Sequence, residues 1–235
     1  MKYFGAIDQG TTSTRFIVFN ENAEIMDQHQ QELNQHLPNE VSVEHDPIEI
    51  WDSVKNCISE VDKKFSLEQL SSIGITNQRE TTVAWSKSTG KPFYNAIVWQ
   101  DTRTQNICDE LLKNKRFTEL IKITGLPIST YFSLSKILWL IENVSEIRSS
   151  LEDDVCFGTI DSWIVYNLTG NFYTDVTNAS RTLMYDLYNM EWSDDILNEL
   201  SIPKHSLPEV KPSLSYFGDI DGVIKGVPIT AILGD

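Results

Sequence analysis

Between two short apolar runs lies Asp8-Gln9-Gly10-Thr11-Thr12-Ser13-Thr14-Arg15, a stretch whose side chains suit the handling of phosphate. Gly10 permits positive φ and close backbone approach. Thr11, Thr12 and Ser13 follow at once and offer N–H and O–H donors in one tight turn, a nest for phosphate oxygens. Arg15 adds a guanidinium for charge-assisted bonds. Asp8 ends the first run with the carboxylate oxygens that Mg²⁺ takes through water. The same octet also reads as a plain hairpin of turn formers. A second candidate lies at the other end of the sequence. Ile229 to Leu233 is an apolar run followed by Gly234-Asp235, and open α/β sheets bind ligands just past the carboxyl ends of such strands.

The elements that hold these residues follow from patterning. Tyr3 to Ile7, Arg15 to Asn20 and Glu24 to Leu33 predict three strands in an antiparallel meander. Asp46 as N-cap, Pro47 at the first position and Glu49 at the third predict a helix start. Ile48, Trp51, Val54, Ile58 and Val61 then recur at steps of three and four and mark one buried face. Ser71 to Thr76, Thr81 to Trp85 and Asn95 to Trp99 predict further strands. Helix faces are marked by Ile107 to Leu112, by Ile137 to Ile141, by Thr159 to Leu168 with a stop at Gly170, and by Trp192 to Leu200. The run at Ile137 is apolar nearly all round, which predicts deep packing. Ile229 to Leu233 predicts a buried strand. Strands first, then strands and helices interleaved, give an α/β domain with a mixed sheet.

Composition narrows the partners. The 235 residues suit one generous domain or two small ones. Thirty-four acidic against nineteen basic side chains leave a formal charge of −15, which repels nucleic acid and acidic membrane faces. The longest basic cluster, Lys113-Asn114-Lys115-Arg116, reads as a solvated helix end. Cys57, Cys108 and Cys156 form no CxxC and no zinc spacing, and they suit a reducing, cytoplasmic setting. The N-terminus has no signal-peptide pattern, and no apolar run approaches the roughly 20 residues of a membrane span. The sequons at Asn143, Asn167 and Asn178 are chance matches in such a chain.

The octet from Asp8 to Arg15 resembles the first phosphate motif of the superfamily that includes sugar kinases, hexokinase, actin and the large heat-shock chaperones. Six more blocks resemble the FGGY carbohydrate kinase family, in order and with little gap. They run from Val43 to Trp51, Gly74 to Thr82, Asn95 to Gln100, Tyr131 to Asn143, Phe157 to Trp163 and Thr177 to Thr182. The resemblance implies an α/β, ribonuclease H-like domain of the actin/hexokinase type, with a mixed sheet flanked by helices. Residues 1–235 would form the N-terminal substrate- and phosphate-binding domain, the nucleotide domain lying outside this chain.

The implied reaction is ATP-dependent, Mg²⁺-assisted phosphorylation of glycerol to glycerol 3-phosphate. Arg79 and Glu80 resemble the pair that grips the polyol: a guanidinium donates to hydroxyl oxygens, and a carboxylate accepts hydroxyl protons. Without the flanking motif the two read as a surface ion pair. Tyr131 resembles a third polyol contact and Trp99 an aromatic wall, although a core tryptophan has the same composition signal. Asp235 resembles the catalytic carboxylate that contacts the attacking hydroxyl and accepts its proton. Thr11, Thr12, Ser13 and Arg15 are implied as phosphate contacts and Asp8 as the metal-side carboxylate. Lys136 and Asp161 are given structural roles. The implied partners are glycerol, ATP/ADP and further copies of the chain.

The chain departs from the family in lacking the glutamine expected after Asp235. Residues 219–227 also lack the glycine- and arginine-rich loop with which some bacterial members bind a sugar bisphosphate. Other readings stand beside the kinase. Another FGGY kinase would act on a longer sugar, which Arg79, Glu80, Trp99 and Tyr131 together disfavour. A ribonuclease H-type nuclease would cluster Asp8, Asp161 and Asp235 around two Mg²⁺ ions, and the acidic charge opposes it. A half-protein that binds polyol or phosphate without catalysis is the third.

Overall fold

The computed structural model describes residues 2–235. The opening residues fold as the predicted meander: β1 (Tyr3–Gln9), β2 (Ser13–Asn20) and β3 (Ile25–Glu32), each antiparallel to the next. β4 (Leu70–Asn77) pairs parallel with β1. β5 (Leu214–Asp219) is antiparallel to β6 (Pro228–Gly234), and β6 is parallel to β4. The sheet order is β5-β6-β4-β1-β2-β3, a mixed sheet as predicted.

Period-two patterning sends Ile7, Phe16, Val18, Ile73 and Ile75 to one face, and a register shift between Ile229 and Ala231 brings both Ile229 and Ile232 there. There they form a core with α1 (Pro47–Asp62). This helix starts as predicted, with Asp46 accepting a bond from the Ile48 amide at 2.8 Å. Glu49 does not complete a capping box. Its carboxylate instead accepts from the Asn34 amide and side chain. The buried face is Ile50, Val54, Cys57, Ile58 and Val61, whereas Ile48 is exposed and Trp51 half-buried. The stripe therefore lies rotated from the predicted one, because Ile50 and Cys57 complete its i, i+4, i+7, i+8 line.

A second core surrounds a five-stranded antiparallel sheet, of which Thr82–Ser86 and Ala96–Ile97 fall within the predicted runs Thr81 to Trp85 and Asn95 to Trp99 and the other three strands were not predicted. Its order is His36–Asn39, Ser42–His45, Ala96–Ile97, Thr82–Ser86 and Val155–Thr159. The last two strands are buried at every residue, so alternation leaves no signal in them. α2 (Ser133–Asn143) packs on this core through Leu134, Ile137 and Leu140. Leu138, Trp139 and Ile141 stay only partly buried, short of the deep packing expected there. The enclosed helix is α3 (Ile160–Thr169), which touches both sheets and ends at Gly170 with φ 73°. On the far face of the main sheet Phe4, Leu214, Tyr216 and Leu233 are exposed. Leu233 is 56% exposed, against the fully buried strand expected there.

Candidate active site

The main sheet brings three chain segments to one edge. Across parallel strands Gln9, Asn77 and Gly234 stand in register. The turn after β1, the segment after β4 and Asp235 after β6 therefore emerge side by side, at the carboxyl ends of their strands. Gln78 ties the first two together. Its amide donates to the Gln9 carbonyl at 2.9 Å, and its side chain donates to Gln9 Oε1 and the Gly10 carbonyl, each at 3.1 Å. Behind it sits buried His45, whose Nδ1 lies 3.4 Å from Gln78 Nε2. Burial pushes His45 down to about 4, so this backing is uncharged at neutral pH.

The phosphate turn is closed by a bond from the Gly10 amide to the Ser13 carbonyl at 2.9 Å. Gly10 does not adopt positive φ as expected, and a Cβ there would stand 3.4 Å from that carbonyl. Asp8 on β1 faces Arg15 on β2 in register. Arg15 Nε donates to Gln30 Oε1, and Gln30 Nε2 donates to Ser13 Oγ. Asp8 shares its row with Thr76 and Leu233, so Asp235, two residues beyond Leu233, follows the same face. Mg²⁺ keeps several waters and takes one or two carboxylates with substrate phosphates. Asp8 and Asp235 match that number. Among the described residues no group of three or more His, Cys, Asp or Glu is arranged to hold a metal ion.

The polyol residues also converge, with one change of partner. Arg79 and Glu80 do not pair with each other. They stand in a bend just past β4 and turn to different partners. Arg79 Nε approaches Asp235 Oδ1 at 3.9 Å, and buried Glu80 accepts a bond from Arg181 Nε at 2.8 Å. The Arg181 guanidinium lies 4.9 Å from the Phe132 ring centre and 5.8 Å from that of Tyr131. Tyr131 packs against Trp99 at 5.5 Å. Trp99 Nε1 donates to Thr11 Oγ1 at 2.9 Å and so joins the polyol residues to the phosphate turn. Arg181 was not singled out from sequence. It stands in the block from Thr177 to Thr182, 101 residues from Glu80, and spacing carries no sign of that pairing.

Buried polar groups brace this arrangement. Lys136 is fully enclosed and donates to the carbonyls of Thr130, Tyr131 and Phe132 at 2.7, 2.7 and 3.2 Å, which fixes the loop carrying Tyr131. Burial pushes Lys136 down to about 7. Arg103 holds Asp101 with two nitrogens, donates to Glu44 at 2.7 Å and stacks on Trp139, which secures the chain just after Trp99. Burial raises the Glu44 carboxyl, but bonds from Asn95, Arg103 and Tyr94 outweigh it and hold the group below its usual range. Asp161 lies inside the protein, accepting from Thr159 and Thr174, and burial pushes it up to about 7. It cannot join Asp8 and Asp235 at an exposed edge, so the nuclease constellation does not form. Both side chains are spent on hydrogen bonds inside the protein.

Comparison with known proteins bears on this site. The profile of the FGGY family of carbohydrate kinases, N-terminal domain, matches residues 3–235. The chain is 49% identical to a glycerol kinase of Borreliella afzelii over 242 residues, covering all of this chain and 48% of that protein. It is likewise 49% identical to a glycerol kinase of Bacillus cereus (strain G9842) over 245 residues, covering 49% of it. The chain thus spans about half the length of the curated relatives it matches. Among solved structures, Plasmodium falciparum glycerol kinase with ADP superposes with a TM-score of 0.94 at 38% identity, over 100% of this chain and 49% of that one. A gluconate kinase from Lactobacillus acidophilus shares the fold, with a TM-score of 0.89 at 23% identity over 100% and 48% of the two chains.

Proposed function

This chain belongs to the FGGY family of carbohydrate kinases, and on that premise we propose that the full-length protein transfers the γ-phosphoryl group of ATP to glycerol. The observation that carries the reading is the meeting of Asp235, Arg79, Glu80, Arg181, Tyr131 and Trp99 beside the hydroxyl turn at Thr11. Two guanidinium groups and two carboxylates cancel in charge, which suits a neutral acceptor.

Asp235 accepts the proton of the attacking hydroxyl. Glu80 Oε2, which has no partner among the described residues, accepts from a second hydroxyl, and Arg79 donates to its oxygen. The Tyr131 phenol supplies a further contact, and the Trp99 ring walls the carbon chain. Thr11, Thr12, Ser13 and Arg15 donate to phosphate oxygens in a reaction governed by positioning and charge neutralisation. Asp8 would hold Mg²⁺ through water, and the ion would supply part of that neutralisation. Trp99 uses a lone pair of Thr11 Oγ1, which leaves the Thr11 hydroxyl proton free for a phosphate.

The reading extends to a cytoplasmic enzyme, in keeping with three buried free thiols. Residues 1–235 expressed alone are expected to bind glycerol weakly and to turn over negligibly, since closure of a second wall excludes water. The test is ADP release by the full-length protein with glycerol, xylulose and gluconate. Glycerol should lead in kcat/KM by about 100-fold, because the longer chains of xylulose and gluconate must be fitted between partners fixed for three carbons. Equal rates with xylulose or gluconate would sink the glycerol assignment and leave family membership intact.

A further inference from the structure

We infer that the turn formed by residues 177–181 is a positioning element for both carboxylates of the acceptor site, Thr177 setting Asp235 and Arg181 setting Glu80. The inference rests on the kinase reading for what those carboxylates do. Its geometry stands apart from that reading.

The turn begins at α4 (Val176–Ala179) and is anchored by Asp175, which is fully buried. This carboxylate accepts from the Thr177 and Asn178 amides at 3.1 and 3.0 Å, from Asn178 Nδ2 at 2.8 Å and from Ser213 Oγ at 2.6 Å. Thr177 Oγ1 also donates to it, 2.7 Å from Oδ2 and 3.0 Å from Oδ1. The hydroxyl has one proton, and this bond commits it. Its lone pairs then face the other way, and one takes the Gly234 amide at 2.8 Å. Asn178 adds a second hold. Its side chain exchanges bonds with Asn77 at 2.9 and 3.2 Å, and the Asn77 carbonyl accepts the Asp235 amide at 3.3 Å. The backbone has little room to settle elsewhere. A Cβ on Gly234 would stand 2.4 Å from Arg79 Cδ.

At the other end of the same turn, Arg181 engages only one oxygen of Glu80. Its Nε fixes Oε1, and the Phe132 ring fixes the guanidinium plane. Oε2 is thereby left to accept a hydroxyl. Bonds from the Ser180 amide to the Val176 carbonyl and from the Arg181 amide to the Asn178 carbonyl, both 3.0 Å, wind the segment. Residues four apart lie on one side of such a turn, so one rigid piece reaches both the backbone that carries Asp235, through Thr177 and Gly234, and the Glu80 carboxylate, through Arg181. A merely structural cap on Asp175 would require neither the Gly234 contact nor the Glu80 contact.

The test uses the full-length protein with Thr177→Val, Thr177→Ser, Arg181→Met and Arg181→Lys. Loss of one such bond at a site costs about 5- to 100-fold. Thr177→Val should lower kcat by about that factor with KM for glycerol within about twofold, and Thr177→Ser should restore it. Arg181→Met should instead raise KM for glycerol by about 10-fold or more, with partial rescue by lysine. If Thr177→Val does not fold, Thr177→Ala is read in its place. Amide exchange at Gly234 should quicken in the hydroxyl-less variant with no substrate present. Unchanged Gly234 exchange, or kcat and KM moving together in both variants, overturns the inference. If Gly234 exchange responds but the unmodified protein does not phosphorylate glycerol, the positioning role stands and the substrate reading fails.

Discussion

The phosphate turn and the acceptor pocket meet at one hydrogen bond, from Trp99 to Thr11, yet they are built in opposite ways. The turn is local. Asp8 to Arg15 lie within eight residues, and pairing of β1 with β2 shapes all of them. The pocket draws Arg79, Glu80, Trp99, Tyr131, Arg181 and Asp235 from separate stretches of chain, with a buried ion pair between Glu80 and Arg181. Their backing differs too. Uncharged amides and a neutral histidine support the turn, whereas Asp175, Lys136 and the Asp101–Arg103–Glu44 cluster support the pocket. A phosphate can be gathered by a flexible set of donors, because its oxygens are alike and symmetrically placed. On the glycerol proposal, a triol must be told from water and from longer sugars, which requires fixed partners.

The largest expected effect falls where the two regions share the reacting atoms. In the full-length protein Asp235→Asn should lower kcat by about 10³-fold, within the range for loss of a general base. Isothermal titration should still detect glycerol. A variant with unimpaired turnover would break the comparison at its centre. Next comes Glu80→Gln, which leaves the Arg181 guanidinium without its carboxylate. KM for glycerol should rise by about 10- to 100-fold, the cost of losing a charge-assisted bond, while KM for ATP stays near its starting value. A smaller effect is expected of Trp99→Phe, which keeps the aromatic wall and removes only the bond to Thr11. Here kcat/KM should fall about 2- to 10-fold, and steady-state kinetics should show the loss on the ATP side as well.

The same contrast explains what could be read in the sequence. The three-strand opening, the turn and the Asp46 helix start are set by contiguous residues, and all were legible from patterning. Arg79, Glu80, Trp99 and Tyr131 stand in blocks that resemble a family, but their pairings could not be read there and Arg181 was not singled out. Glu80 stands next to Arg79 in the chain, and only the bend after β4, together with a turn 101 residues away, gives it to Arg181. The second sheet was legible only in part. Thr82–Ser86 and Ala96–Ile97 lie in runs that predicted strands, whereas Val155–Thr159, buried at every residue, carries no period-two signal and was missed.

The smallest effect tests the charged backing itself. Asp161 sits behind the acceptor side, bonded to Thr174, one residue before Asp175. Burial raises it from 3.8 to about 7 in the folded protein. The folded state therefore binds a proton that the unfolded state has released between those two values. Stability from this group is fully present below pH 3.8 and drains away as pH rises toward 7. Asp161→Asn remains neutral throughout and removes that dependence. Thermal melts of the full-length protein from pH 4.5 to 7.5 should show the variant gaining on its parent as pH rises, until it matches or exceeds it near neutrality. His45, behind the phosphate turn, is pushed by burial from 6.5 down to about 4, so it makes parent and variant alike more stable as pH rises toward 6.5 and cancels in the difference between them. A parent and variant whose melting temperatures run parallel across the range would mean that Asp161 is ionised in place, held by Thr159 and Thr174, and that the acceptor side carries one more buried charge than its hydrogen bonds imply.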